Sequence, residues 1–162
     1  MKSFYLALAA VLELSFVASG RAGDTNRAGQ ILTAELAQKI LGVPVESSST
    51  NSADTEIGQT WVSRISYRAK TGGASAPGIS LLIRHAASLA DAKPIFESSK
   101  ATFHGEDVSG LGDAAYRTKD PAQLDILNGW NWLIISAGTL QNPDLATQEK
   151  AAREILAKMP KS

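Results

Sequence analysis

Apolar and polar residues alternate most cleanly in three stretches of this chain, and each alternation predicts a β-strand. Over 60–69, Trp61, Ser63, Ile65 and Tyr67 fall on one face, and Val62, Arg64, Ser66 and Arg68 on the other. Over 79–85, Ile79, Leu81 and Ile83 alternate with Ser80, Leu82 and Arg84. The segment between them carries Gly72-Gly73 and Pro77-Gly78, which closes the pair into a hairpin. The third run, 130–137, sets Trp130, Trp132 and Ile134 against Leu133, Ile135 and Ala137. It pairs with 124–127 around Asn128-Gly129, two residues that both tolerate the positive φ of a type I′ turn. A shorter strand is predicted over 114–118, after the turn Ser109-Gly110-Leu111-Gly112-Asp113, and Asp120-Pro121 breaks it. Residues 43–46 read as an edge strand, and 46–59, rich in Ser, Thr, Asn and Asp, as a mobile loop.

Helical spacing appears three times. Thr33 caps a helix over 34–41 that buries Leu36, Ile40 and Leu41 and stops at Gly42 and Pro44. A second runs to about Thr102 from a cap at Ser88 or Asp91. Pro94 favours Asp91, because proline then sits in the first turn, and Ile95, Phe96 and Phe103 anchor the helix. A third begins at an Asn142 cap with Pro143 in the first helical position, buries Leu145, Ala152, Ile155, Leu156 and Met159, and ends at Pro160. Hairpins punctuated by helices predict an α+β fold: an antiparallel sheet of five to six strands with helices packed on it as a sandwich. The domain is placed at 31–160, behind a flexible lead-in at 23–30.

Composition narrows the function. The chain has 162 residues, one domain's worth, with 16 basic and 16 acidic side chains. A nucleic-acid binder draws its affinity from a cationic excess, so no nucleic-acid partner is expected. There is no cysteine, which removes disulfides, thiolate chemistry and a lipid-modified cysteine. Residues 1–22 resemble a secretory signal peptide. Lys2 precedes an apolar run over 4–12, small residues follow at 17–22, and Glu13 is the discordant residue. The run is too short for a membrane span, so the mature chain is expected to cross no membrane and to be periplasmic or secreted.

The succession T-A-E-L-A-Q-K-I-L-G, a hairpin, a helix, V-S-G-L-G-D-A-A-Y, a second hairpin and a terminal A-A-R-E-I-L-A-K-M helix resembles small bacterial exported proteins and lipoproteins of unknown function. The resemblance spans 32–159 and implies a fold and an address outside the cytoplasm, but no catalytic residues. Lipid anchoring does not carry over, because the cysteine it requires is missing.

Candidate chemistry is sparse. The glycine turn at 108–113 lacks the Gly-Lys-Ser/Thr of a phosphate loop and precedes a strand, so Gly110 and Gly112 read as left-handed turn residues held by Asp113. His85 and His104 are the only histidines, and neither has a second histidine at ligand spacing, so no metal or other cofactor is assigned. Trp130 and Trp132 fall on one strand face. If that face lacks a helix they form an aromatic patch, with Asn128 at its margin and Arg64 and Arg68 as charged neighbours.

The expected function is a binding or interaction module of the cell envelope, taking a protein or a small molecule. The alternatives are a small hydrolase or metal-dependent enzyme using His85 or His104, and a structural subunit of an envelope complex. Export is checked by N-terminal sequencing of protein recovered from the envelope. The expected first residue is Gly20 or Gly23, and retention of Met1-Lys2-Ser3 rules the signal peptide out.

Overall fold

The computed structural model describes residues 26–48, 53–139 and 141–159, so the proposed signal peptide and Pro160 lie outside the described residues. In chain order the elements are α1 (Arg27–Ile31), α2 (Ala34–Leu41), β1 (Val45–Ser47), β2 (Ala53–Ile57), β3 (Thr60–Ala69), β4 (Gly78–His85), α3 (Leu89–Thr102), β5 (Glu106–Asp107), β6 (Ala114–Lys119), β7 (Ala122–Asn128), β8 (Asn131–Gly138) and α4 (Leu145–Leu156). The fold is α+β, and the eight strands among the described residues form one antiparallel sheet in the order β1-β3-β4-β8-β7-β6-β5, with β2 also paired to β3.

The strand count exceeds the expected five to six because pairing through the backbone needs no apolar alternation. The Ala53-Asp54-Thr55-Glu56-Ile57 strand is exposed at every position, yet it pairs with β3 along its whole length. Its acids are held from the neighbouring helix: Arg27 bonds Glu56 and lies 3.5 Å from Asp54. That helix, α1, falls in the stretch expected as a flexible lead-in. The Asn26 side chain accepts from the Gly29 N–H and donates to the Arg64 carbonyl, while Ala28 and Leu32 are fully buried.

The two sheet faces are covered unequally. The alternation read over β3 and β4 holds: Ile65, Tyr67, Ile79, Leu81 and Ile83 are buried on one face, joined by Leu124, Ile126, Leu133 and Ile135. Helices α1, α2 and α4 pack on this first face through Leu36, Ile40, Ala151, Ala152 and Ile155. Among the described residues the second face has α3 alone, resting on β7 and β8. A smaller core of Ala92, Phe96, Tyr116, Leu127 and Trp132 lies beneath it. Helix α3 does not reach over β3 and β4, where Val62 and Arg84 stay exposed.

Local signals were displaced by one to three residues where tertiary partners intervene. Ser88 caps α3 in place of Asp91: its hydroxyl accepts the Asp91 N–H and donates to the Asp91 carboxylate at 2.6 Å. Pro94 therefore lies a full turn inside the helix, and Ile95 and Phe103 are exposed while Phe96 is buried. Pro143 forms a β-bridge with Gly138, which keeps the chain extended and delays α4 to an Asp144 cap, leaving Leu145 exposed. In the β7–β8 hairpin Asn128 pairs with Asn131, so the turn residues are Gly129 and Trp130. Gly129 has φ 58°, and Trp130 keeps negative φ, so glycine alone occupies the left-handed position.

That shift has a visible cause in the glycine turn before β6. Leu111 is buried, and Asp113 reaches across to the hairpin, accepting the Gly129 N–H at 2.6 Å while its own N–H donates to the Leu127 carbonyl. Between them Gly112 (φ 58°) presses so closely that a Cβ would stand 2.4 Å from the Leu127 carbonyl oxygen. The Gly-Leu-Gly-Asp sequence is thus a clasp between two turns.

Candidate functional site

The chemistry concentrates on the second face, around Trp132. Strand alternation points Asp125 on β7 and Trp132 on β8 to that side, diagonally across the ladder, where a long side chain can reach its neighbour. The indole N–H of Trp132 donates to Asp125 Oδ1 at 2.8 Å, and both residues are buried. Phe96 of α3 meets the Trp132 ring edge-on at 6.3 Å and tilts against Tyr116 at 4.8 Å. Directly opposite Trp132 on β4, Arg84 lays its guanidinium 5.1 Å from the ring centroid, a cation–π contact.

Burial pushes the Asp125 carboxyl up to about 6, against the opposing effects of Trp132, Tyr116 and the Arg84 charge. The Tyr116 hydroxyl is close enough to Asp125 and Ser99 to act on both, but it reaches hydrogen-bonding geometry with neither. Burial raises its own pKa as well.

Beside this pair, between α3 and the open part of the sheet, lies a groove of about 310 Å³. Ile57 and Val62 form one wall, Ala92 and Ile95 the other, and Arg84 and Trp132 the floor. Ile57 is 77% exposed and Ile95 54%, so both lips are apolar surface facing water. Asp91 also lines the groove, with its carboxylate already bonded by Ser88. Among the described residues the Arg84 guanidinium has no carboxylate within ion-pair distance.

The residues singled out from the sequence are divided by the structure. Trp132 is 7% exposed and Trp130 47%, so the two tryptophans form no shared exposed patch. Trp132 belongs to the core under α3, and Trp130 sits in the hairpin turn. There it tilts against His85 at 6.0 Å, His85 stacks on Trp61 at 5.0 Å, and Arg27 covers Trp61. Asn128 lies at the same end, opposite Asn131, whose side-chain oxygen is 2.8 Å from His85 Nδ1. Arg64 and Arg68 share the second face with Trp132. Arg68 is engaged by Glu46 at 2.8 Å, while Arg64 pairs across the ladder with Leu82, one row from Arg84.

His104 sits at φ 51° in the connection after α3. Its acidic neighbours are spoken for: Lys119 bonds Glu106 and holds its carboxyl below the usual range, and Lys100 bonds Asp107. Among the described residues no three histidine, aspartate or glutamate side chains converge as a metal site would require. Sequence reasoning passed over Asp125 and Arg84. Both carried a signal, since each is a charge inside an apolar alternating run: Leu124-Asp125-Ile126-Leu127 and Leu82-Ile83-Arg84.

No family model matches this chain, and neither a curated protein nor a solved structure matches it. The groove therefore stands on its own geometry.

The Asp125 carboxyl sets a pH dependence with a definite sign. Its folded pKa of about 6 lies above the ordinary 3.8, so below about pH 4 it is protonated in both states and costs nothing. As pH rises through 6 the folded state must surrender a proton it holds more tightly than the unfolded chain, and stability falls by about 3 kcal/mol. Asp125→Asn keeps an acceptor for the Trp132 N–H and removes that titration. The difference in urea-derived stability between variant and wild type should grow in the variant's favour from pH 4 to pH 7. Parallel profiles would contradict the assignment.

Proposed function

We propose that this chain is an exported binding module of the cell envelope, and that its ligand seat is the groove between α3 and the exposed face of β3 and β4. The observation that carries this reading is the unequal covering of the sheet. A domain that closes three helices over one face leaves Ile57, Val62 and Ile95 in water around a concave floor on the other. Exposed apolar side chains grouped about a cleft mark a place where something else completes the burial. The floor adds direction, because a guanidinium placed over an indole keeps N–H donors for a ligand. Binding is favoured over catalysis by the same geometry. The polar residues that line the groove are Arg84, Asp91, His85, Thr55 and Thr60, a set suited to orienting a ligand. Of these, the Asp91 carboxylate is taken by Ser88, and His85 Nδ1 lies 2.8 Å from the Asn131 side-chain oxygen.

Nile red, a neutral apolar dye, tests this directly. Wild-type protein should bind one equivalent, and Ile95→Glu or Val62→Glu should weaken binding about tenfold by placing a charge on a lip. Both positions are exposed, so the substitutions leave the fold intact. Trp130→Ala should leave binding unchanged. Loss of binding in Trp130→Ala with no effect of the groove variants would move the seat to the hairpin turn.

A further inference from the structure

Resting on the groove as ligand seat, we infer that its occupant is a small amphipathic monocarboxylate, with its carboxylate on Arg84 and its hydrocarbon body along Val62, Ile57 and Ile95. Three observations converge. The Arg84 guanidinium lies over the Trp132 ring and has no carboxylate within ion-pair distance among the described residues, the buried Asp125 acting on it only from farther off. A guanidinium presents a planar fork of donors that matches a carboxylate's two oxygens. The contact with the ring also fixes the fork in place through the bond that pins the indole to Asp125, so little freedom is lost when an anion arrives.

The charges facing the groove set the ligand's charge. Arg84 lies on the sheet side and Asp91 on the helix side with its carboxylate turned to Ser88, while Arg64 shares the sheet face without lining the groove. Arg68 is neutralised by Glu46 and adds nothing. With a single guanidinium among its lining residues, the groove offers one seat for an anion, and a doubly charged phosphate would sit against Asp91. The apolar remainder of the lining, with its exposed lips, fits a hydrocarbon body. The volume of about 310 Å³ is at the small end of small-molecule sites, which suits a small ligand.

Two probes with the same tail separate this inference from the one beneath it. Decanoate and decyltrimethylammonium are titrated by calorimetry below their micelle concentrations, against wild type, Arg84→Gln, Arg84→Lys and Ile95→Glu. Decanoate should bind wild type about tenfold or more tighter than the cation, at one equivalent. Arg84→Gln should abolish that preference and Arg84→Lys should retain part of it, since lysine keeps the charge and loses the fork. Equal binding of both probes, each weakened by Ile95→Glu, overturns the carboxylate assignment and leaves the groove standing. Tighter binding of decyl phosphate than of decanoate also overturns it. Absence of binding by either probe, or indifference of both to Ile95→Glu, removes the groove itself.

Discussion

The bond from the Trp132 indole to the Asp125 carboxylate organises the second face of this protein. It spans β7 and β8, lies under the Phe96 ring of α3, and fixes the indole plane on which Arg84 rests. A buried carboxylate is costly, and here burial raises its proton affinity to the edge of the physiological range. One helix, one aromatic cluster and one guanidinium thus share a single polar anchor. Where the anchor ends, the covering of the face ends too, and the groove begins.

The first face follows a different logic. Three helices bury a continuous apolar surface, and cross-links such as Lys39 to Glu154 and Arg117 to Glu149 tie elements far apart in sequence. Most of these ion pairs are exposed and contribute little to stability. Burial of Ile65, Leu81, Ile83, Leu133 and Ile135 does most of the holding. The scaffold is therefore firm on one side, which leaves the other side free to be incomplete without unfolding.

Much of this was legible in the sequence, for identifiable reasons. The inward faces of β3 and β4 were readable because Ile65, Tyr67, Ile79, Leu81 and Ile83 repeat every second residue, and a two-residue period has one structural meaning. Helix α2 was readable because Thr33 and Gly42 mark both ends. Strand β2 was not, since its residues are polar or exposed and its place is set by backbone pairing to β3. The hairpin turn moved by one residue because Asp113, sixteen positions earlier, captures the Gly129 N–H. The site was half legible. Alternation set Trp132 on one face of its strand and Arg64 and Arg68 on one face of theirs, and the register brought those faces together. No periodicity says how far a single helix will extend across a sheet. That extent decided which tryptophan was buried, and it left the groove beside Arg84 in place of a patch at Trp130.

The three tryptophans make the central claim measurable in one experiment. Trp61 and Trp132 line the groove and Trp130 stands outside it in the hairpin turn, so the Trp132 and Trp130 indole N–H resonances report on separate places. A small-fragment screen by two-dimensional NMR on the uniformly nitrogen-labelled protein reads all three at once. If the open part of the second face is the ligand seat, fragments that bind will shift the Trp132 indole together with the backbone signals of Val62, Arg84 and Ile95. The Trp130 indole will stay in place. Fragments that move Trp130 and leave Trp132 untouched would contradict the account.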